Sequence, residues 1–186
     1  MSCPDSRDTC VVCERVSDAL IENAALNEAE ICRRAGISRE ALVEHLGGIE
    51  GCLAVAFERG VDLLYERAAA AFQAPGAWET RLRAALLAVV SQIAERPGLG
   101  RLCYVEGVEL GGPEVWRRRE RARQRFVQLL AHDQDADRPP LRFELVVGAV
   151  QVALRRHVIE EQTWQDAPAI AHRIAEQALI FEPVAA

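Results

Sequence analysis

The stretch Ile31-Cys32-Arg33-Arg34-Ala35-Gly36-Ile37-Ser38-Arg39-Glu40-Ala41-Leu42-Val43-Glu44-His45-Leu46 constrains the fold more than any other part of the chain. It reads as one helix running through Ala35, a tight turn, and a second helix. Gly36 supplies the left-handed C-cap, a backbone conformation that glycine adopts at little cost. Ile37 is apolar and folds back into the core, and the Ser38 hydroxyl N-caps the next helix by accepting an orphan backbone N–H. Two short helices joined this closely form a helix-turn-helix, whose second helix enters a DNA major groove. That second helix carries Glu40 and Glu44, which face a polyanion badly. The scaffold argues for DNA binding and its decoration argues against it.

Composition points the same two ways. Of 186 residues half are hydrophobic and only 5% aromatic. With Ala and Leu dominant and few β-branched runs, an all-α fold is expected. The formal net charge is -6, and all 22 basic residues are Arg. Residues 1–60 hold eleven acids against six Arg, so the helix-turn-helix end is the more acidic. Nucleic-acid-binding domains are usually basic, because phosphate neutralisation supplies much of their affinity. The N-terminus has no apolar signal-peptide core and no run approaches the ~20 apolar residues of a membrane span, so a cytoplasmic, reduced protein is expected.

Periodicity and breakers divide the rest. A helix is predicted from about Cys10 to Ile21, with Val12, Val16, Ala19 and Leu20 on one face. Asn23 is a turn residue; Asn27 caps the next helix, with Glu30 completing a capping-box pattern. The third helix spans Arg39 to His45 and breaks at Gly47-Gly48. A long helix follows from Glu50 to Phe72, then others from Trp78 to Glu95, Leu99 to Leu110 and Pro113 to Ala131. Residues 132–140 read as a loop, followed by helices from Leu141 to Glu160 and Ala167 to Phe181. No strand pattern or internal repeat is visible. The predicted domains are a helix-turn-helix domain, 1–49, and a larger helical domain, 50–186.

This arrangement resembles the tetracycline-repressor-like (TetR) family. The resemblance rests on Leu26-Asn27-Glu28-Ala29-Glu30-Ile31, then Ala35-Gly36-Ile37-Ser38, then Leu42, His45, Glu50 and Leu53. Weaker signals follow at Val105-Glu106, Gly111-Gly112-Pro113-Glu114 and Val146-Val147-Gly148-Ala149. The departures cluster: Ala41, Val43 and Ile49 stand where the family commonly has Thr, Tyr and Lys that contact phosphate, and none can donate a hydrogen bond there. The basic N-terminal arm is missing too, since residues 1–9 hold only Arg7 against Asp5 and Asp8.

The resemblance implies three sites. DNA contacts fall to Arg33, Arg34, Ser38, Arg39, Glu40, Glu44 and His45. A cavity for a small apolar ligand falls to Leu86, Val90, Ile93, Leu102, Tyr104, Val105, Glu106, Trp116, Phe126, Val147 and Gln151, each of which can also be plain core. A homodimer interface on the last two helices falls to Gly148, Ala149, Val152, Ile174 and Ala178. The Arg117–Arg125 run circles its helix and reads as a solvated surface with pairs such as Glu114–Arg118. Cys10-x-x-Cys13, with Cys3 nearby, lacks the second ligand pair of a structural zinc site; two core thiols are the simple reading and a metal or redox role the alternative. Cys32, Cys52 and Cys103 read as buried and inert.

No nucleophile–base–orienter set, phosphate loop or metal-binding His pair is present, so no enzyme, cofactor or metal is expected. Two functions stay open. One is a TetR-type ligand-responsive regulator binding operator DNA as a dimer. The other is a protein of this fold that has lost ordinary DNA binding and acts through a ligand or a protein partner.

Overall fold

The computed structural model describes residues 10–131, 140–160 and 163–179. The N-terminal arm with Cys3, the 132–139 part of the predicted loop and the predicted end of the last helix lie outside the described residues. The elements among those described are helical: α1 Val11–Glu22, α2 Glu28–Ala35, α3 Arg39–Leu46, α4 Ile49–Phe72, α5 Trp78–Glu95, α6 Pro97–Arg101, α7 Gly107–Leu110, α8 Gly112–Ala131, α9 Pro140–Ile159 and α10 Ala167–Leu179. A π-helical turn, Leu102–Glu106, joins α6 to α7. The predicted helix from Leu99 to Leu110 is thus present as one helical run that begins at Pro97 and carries a π-turn at its centre.

Contacts divide the chain into two compact units. The first comprises residues 1–62 and 96–119; the second comprises residues 63–95 and 120–186. In the first unit α1, α2 and α3 pack together around Val16, Leu20, Ile31, Ala35 and Leu42, all buried. The predicted α1 face is buried at Val16, Ala19 and Leu20, whereas Val12 stays half-exposed. The α6 helix meets the last turn of α1, where a methyl at Gly98 would collide with the Ile21 and Glu22 carbonyl oxygens. Gly60 makes a similar close approach to Cys103 and Leu99.

In the second unit α10 packs on α5 and α9. Its core holds Leu86, Val90, Ile93, Phe143, Val146, Leu154, Ile174 and Ala175. The Trp78 indole N–H donates to the Leu130 carbonyl at 2.9 Å, and its ring lies 5.9 Å from that of Phe143. Asp166, not anticipated as a cap, accepts the Ala169 N–H at 3.0 Å and starts α10. Buried His157 lies 3.3 Å from the Thr163 carbonyl oxygen and against the Trp164 ring, so it holds a turn in place.

Candidate functional site

Local backbone chemistry fixes the α2–α3 pair. The Asn27 side chain accepts the Glu30 N–H at 2.9 Å, which starts α2. The other half of the expected capping box does not form, because the Glu30 carboxylate turns to Arg33 and Arg34 instead. Gly36 takes φ 62°, and the Gly36 and Ile37 N–H groups both return to the Cys32 carbonyl. Ile37 is half-buried at the turn. Ser38 then accepts the Ala41 N–H at 3.1 Å, and α3 stops at Gly47 with φ 71°. Each cap contributes about 1 kcal/mol, enough to set where two eight-residue helices begin.

The outward side of α3 is Glu40, Val43, Glu44 and His45, all exposed. The cations around it are engaged within the chain. Arg33 forks onto Glu30, with its Nε at 2.8 Å. Arg34 donates to the same carboxylate at 3.0 Å and lies 4.0 Å from Glu22. Arg39 reaches back eleven residues to Glu28 at 2.6 Å. The Arg33 and Arg34 hydrogen bonds hold the Glu30 carboxyl down at about 2. Hydrogen bonds from its own backbone N–H and from the Ser38 side chain lower Glu40 below the ordinary carboxylate range. At neutral pH the Glu30 and Glu40 carboxylates are therefore ionised. Exposed ion pairs are each worth about 0–1 kcal/mol, so the arginines can exchange partners, but doing so leaves a carboxylate behind. Sequence reasoning did not anticipate Glu22 and Glu28 as partners of these arginines, and gave Glu30 a capping role only. The Glu30–Arg33/Arg34 spacing was visible as i,i+3 and i,i+4 pairs; the Glu28–Arg39 pair needed the turn.

The candidate ligand residues divide between the units. Leu86, Val90, Ile93 and Val147 are buried in the second unit, where Phe126 and Gln151 are half-buried. The Phe126 ring stands edge-on to Tyr65 at 5.3 Å. In the first unit Leu102 and Glu106 are buried, Tyr104 and Val105 are half-buried, and Trp116 is 65% exposed. Glu106 accepts both an Nε and a terminal N–H of Arg101, while its second carboxylate oxygen is buried without a hydrogen-bond partner. Burial raises the Tyr104 hydroxyl well above the ordinary phenol range. Gln92, a buried polar side chain on α5, was not anticipated.

The dimer candidates also separate. Val152 is 69% exposed, and Gly148 and Ala149 are half-buried on α9. A methyl at Gly148 would meet no atom within 4 Å. A close approach within the described chain therefore does not explain that glycine. Ile174 and Ala178 are buried in the core of their own unit. Among the described residues no helix is long and apolar enough to cross a membrane.

No family model matches the chain, and no curated protein matches it. Solved structures do match. The fatty acid degradation regulator FadR from Bacillus halodurans aligns with a TM-score of 0.69 at 12% identity, covering 94% of this chain and 98% of that one. The transcriptional regulator FadR from Bacillus subtilis, solved in complex with stearoyl-CoA, aligns at 0.70 and 12% identity over 93% and 98%. A TetR-family transcriptional regulator from Streptomyces coelicolor aligns at 0.66 and 18% identity over 92% and 82%. The fold is TetR-like: all-α, with an N-terminal helix-turn-helix followed by further helices.

Proposed function

We propose that this chain is a TetR-type, ligand-responsive transcriptional regulator that acts as a homodimer on operator DNA. The observation that carries the reading is the α2–α3 pair, capped by Asn27, Gly36 and Ser38, within a TetR-like fold. A dimer would present two α3 helices about one DNA turn apart. A small apolar ligand held by side chains such as Leu86, Val90, Ile93, Val147 and Gln151 would weaken DNA binding. The stearoyl-CoA bound to one structural neighbour supports a ligand with a long apolar part. Dimerisation would use the outward face of α9, around Gly148, Ala149 and Val152.

A second reading is favoured by the ion pairs. Arg33, Arg34 and Arg39 all hold carboxylates of their own chain. With Ala41, Val43 and Ile49 unable to bond phosphate, the α3 face would then serve a partner regulator or another protein instead of DNA. Affinity of the full chain for its own upstream DNA, measured at about 50 and about 200 mM salt, separates the two. The first reading expects binding at low salt that falls steeply as salt rises. No binding at low salt overturns it in favour of the second. Val43→Tyr with Ile49→Lys should raise low-salt affinity and steepen the salt slope by about one unit, the worth of one added phosphate neutralisation.

A further inference from the structure

We propose that Cys10 and Cys13 form a redox-active dithiol at the head of α1, oxidised by a peroxide or by a small disulfide. The inference does not depend on whether α3 binds DNA. Cys10 is the N-cap of α1, with an extended backbone (φ -60°, ψ 129°) and no side-chain capping bond. Cys13 stands three residues on, at the position whose backbone an N-cap side chain ordinarily reaches. An N-cap and the third helical residue lie within the roughly 4.4–6.8 Å of Cα separation that a disulfide spans. Both thiols are half-buried, so a small oxidant reaches them.

Two features favour the Cys10 thiolate. The first turn of a helix presents unsatisfied N–H groups and the positive end of the helix dipole, the environment that lowers cysteine pKa. His45, from the last turn of α3, places its Nδ1 3.9 Å from the Cys10 sulfur, where an imidazole can take the thiol proton. Cys52 and Cys103 are instead buried, and burial pushes their thiols up to about 12. Metal capture is the weaker use of this pair. Among the described residues no group of three or more His, Cys, Asp or Glu side chains is placed to hold an ion.

The chemistry balances without a cofactor. The Cys10 thiolate attacks one peroxide oxygen; an S–O bond forms, the O–O bond breaks, and water leaves after proton transfer. The Cys13 thiol then attacks the sulfenic sulfur, forming the S–S bond and releasing a second water. Two thiols lose two electrons and one hydrogen peroxide is reduced to two waters. With a small disulfide as oxidant, two exchange steps give the same protein disulfide and two small thiols. Cys10 meets α3 at His45.

The test uses the full chain treated with hydrogen peroxide, alkylated, and mapped by peptide mass spectrometry. A peptide joining Cys10 to Cys13, lighter by two hydrogens and restored by dithiothreitol, is expected. In Cys13→Ser the reaction stops at the sulfenic acid, and dimedone labels Cys10; in Cys10→Ser the same dose leaves Cys13 unlabelled. A linkage to Cys3, Cys32, Cys52 or Cys103, no thiol loss, or dimedone on Cys13 overturns the proposal. His45→Gln should slow Cys10 alkylation at neutral pH about threefold or more and move its pH midpoint upward, Glu14 being the ionisable neighbour one turn along α1. An unchanged rate and midpoint remove the imidazole from the proposal.

Discussion

Two helices turn very different faces outward. On α3 the exposed residues are Arg39, Glu40, Val43, Glu44 and His45, a mostly ionisable set. On α9 they include Leu141, Leu145, Val152 and Ile159, with half-buried Gly148 between them. At 100° per residue those five α9 positions fall within about 60° of one another, an apolar side that Arg155 and Arg156 border between Val152 and Ile159. Isolated exposed apolar residues are ordinary, but several on one side of a helix fit the proposed dimer face. The lesson is that α3 is finished as a wetted face while α9 is not. In the proposed dimer, the small residues at 148 and 149 would let a second backbone come close.

The largest effect should come from placing a charge on that side of α9. Val152→Glu is expected to raise the dimer dissociation constant about 100-fold or more, because an unpaired carboxylate buried in an apolar interface costs several kcal/mol. Sedimentation velocity across a concentration series measures it. The stability of the isolated chain should change by no more than about 0.5 kcal/mol, since Val152 is exposed there. An unchanged dimer constant removes the α9 face from the interface.

One substitution made at two glycines sharpens the contrast next. At Gly98 an added methyl runs into the carbonyl oxygens that end α1, so Gly98→Ala should destabilise by about 1–3 kcal/mol. At Gly148 the methyl meets nothing, so Gly148→Ala should stabilise the isolated chain by up to about 1 kcal/mol through helix propensity. The same change should loosen the dimer if two α9 helices approach there. Urea unfolding at low and high protein concentration reads both. Effects of one sign at the two sites would break the comparison.

How much of this was legible follows from where each signal lives. The bounds of α1 to α5 were readable to within a residue because their punctuation is local: Asn27, Gly36, Ser38, Gly47-Gly48 and Pro75-Gly76 act on their own backbone. The π-helical turn at Leu102–Glu106 was not readable, since nothing in Leu-Cys-Tyr-Val-Glu marks an added residue per turn. Nor was the grouping of residues 96–119 with the first three helices, which rests on contacts such as Gly98 against α1. Apolar periodicity finds a buried face without saying what buries it. Ile174 and Ala178 were read as interface and are spent on their own core, and Trp116 was read as a pocket residue and lies on the surface. The scaffold of the α2–α3 pair was legible for the same reason as the helices. Its ion pairs were legible only where they follow helical spacing.

The smallest effect probes α3's own neighbourhood and decides what its acidity means. Glu30 is the hinge, because it holds both Arg33 and Arg34. Its carboxyl is lowered from 4.5 to about 2, so the stabilisation it brings is complete above pH 4.5 and fades only as pH falls toward about 2. At neutral pH both guanidinium groups are therefore engaged. Glu30→Gln frees them and should leave stability nearly unchanged, since solvent screens exposed pairs. If the two arginines border a DNA backbone, the variant should bind DNA more tightly at low salt. Its log–log salt slope should steepen by about 0.9 for each guanidinium recruited to phosphate. An unchanged slope means the arginines do not meet nucleic acid even when released. The acidic face of α3 would then be the surface that acts, and its partner would be a basic one.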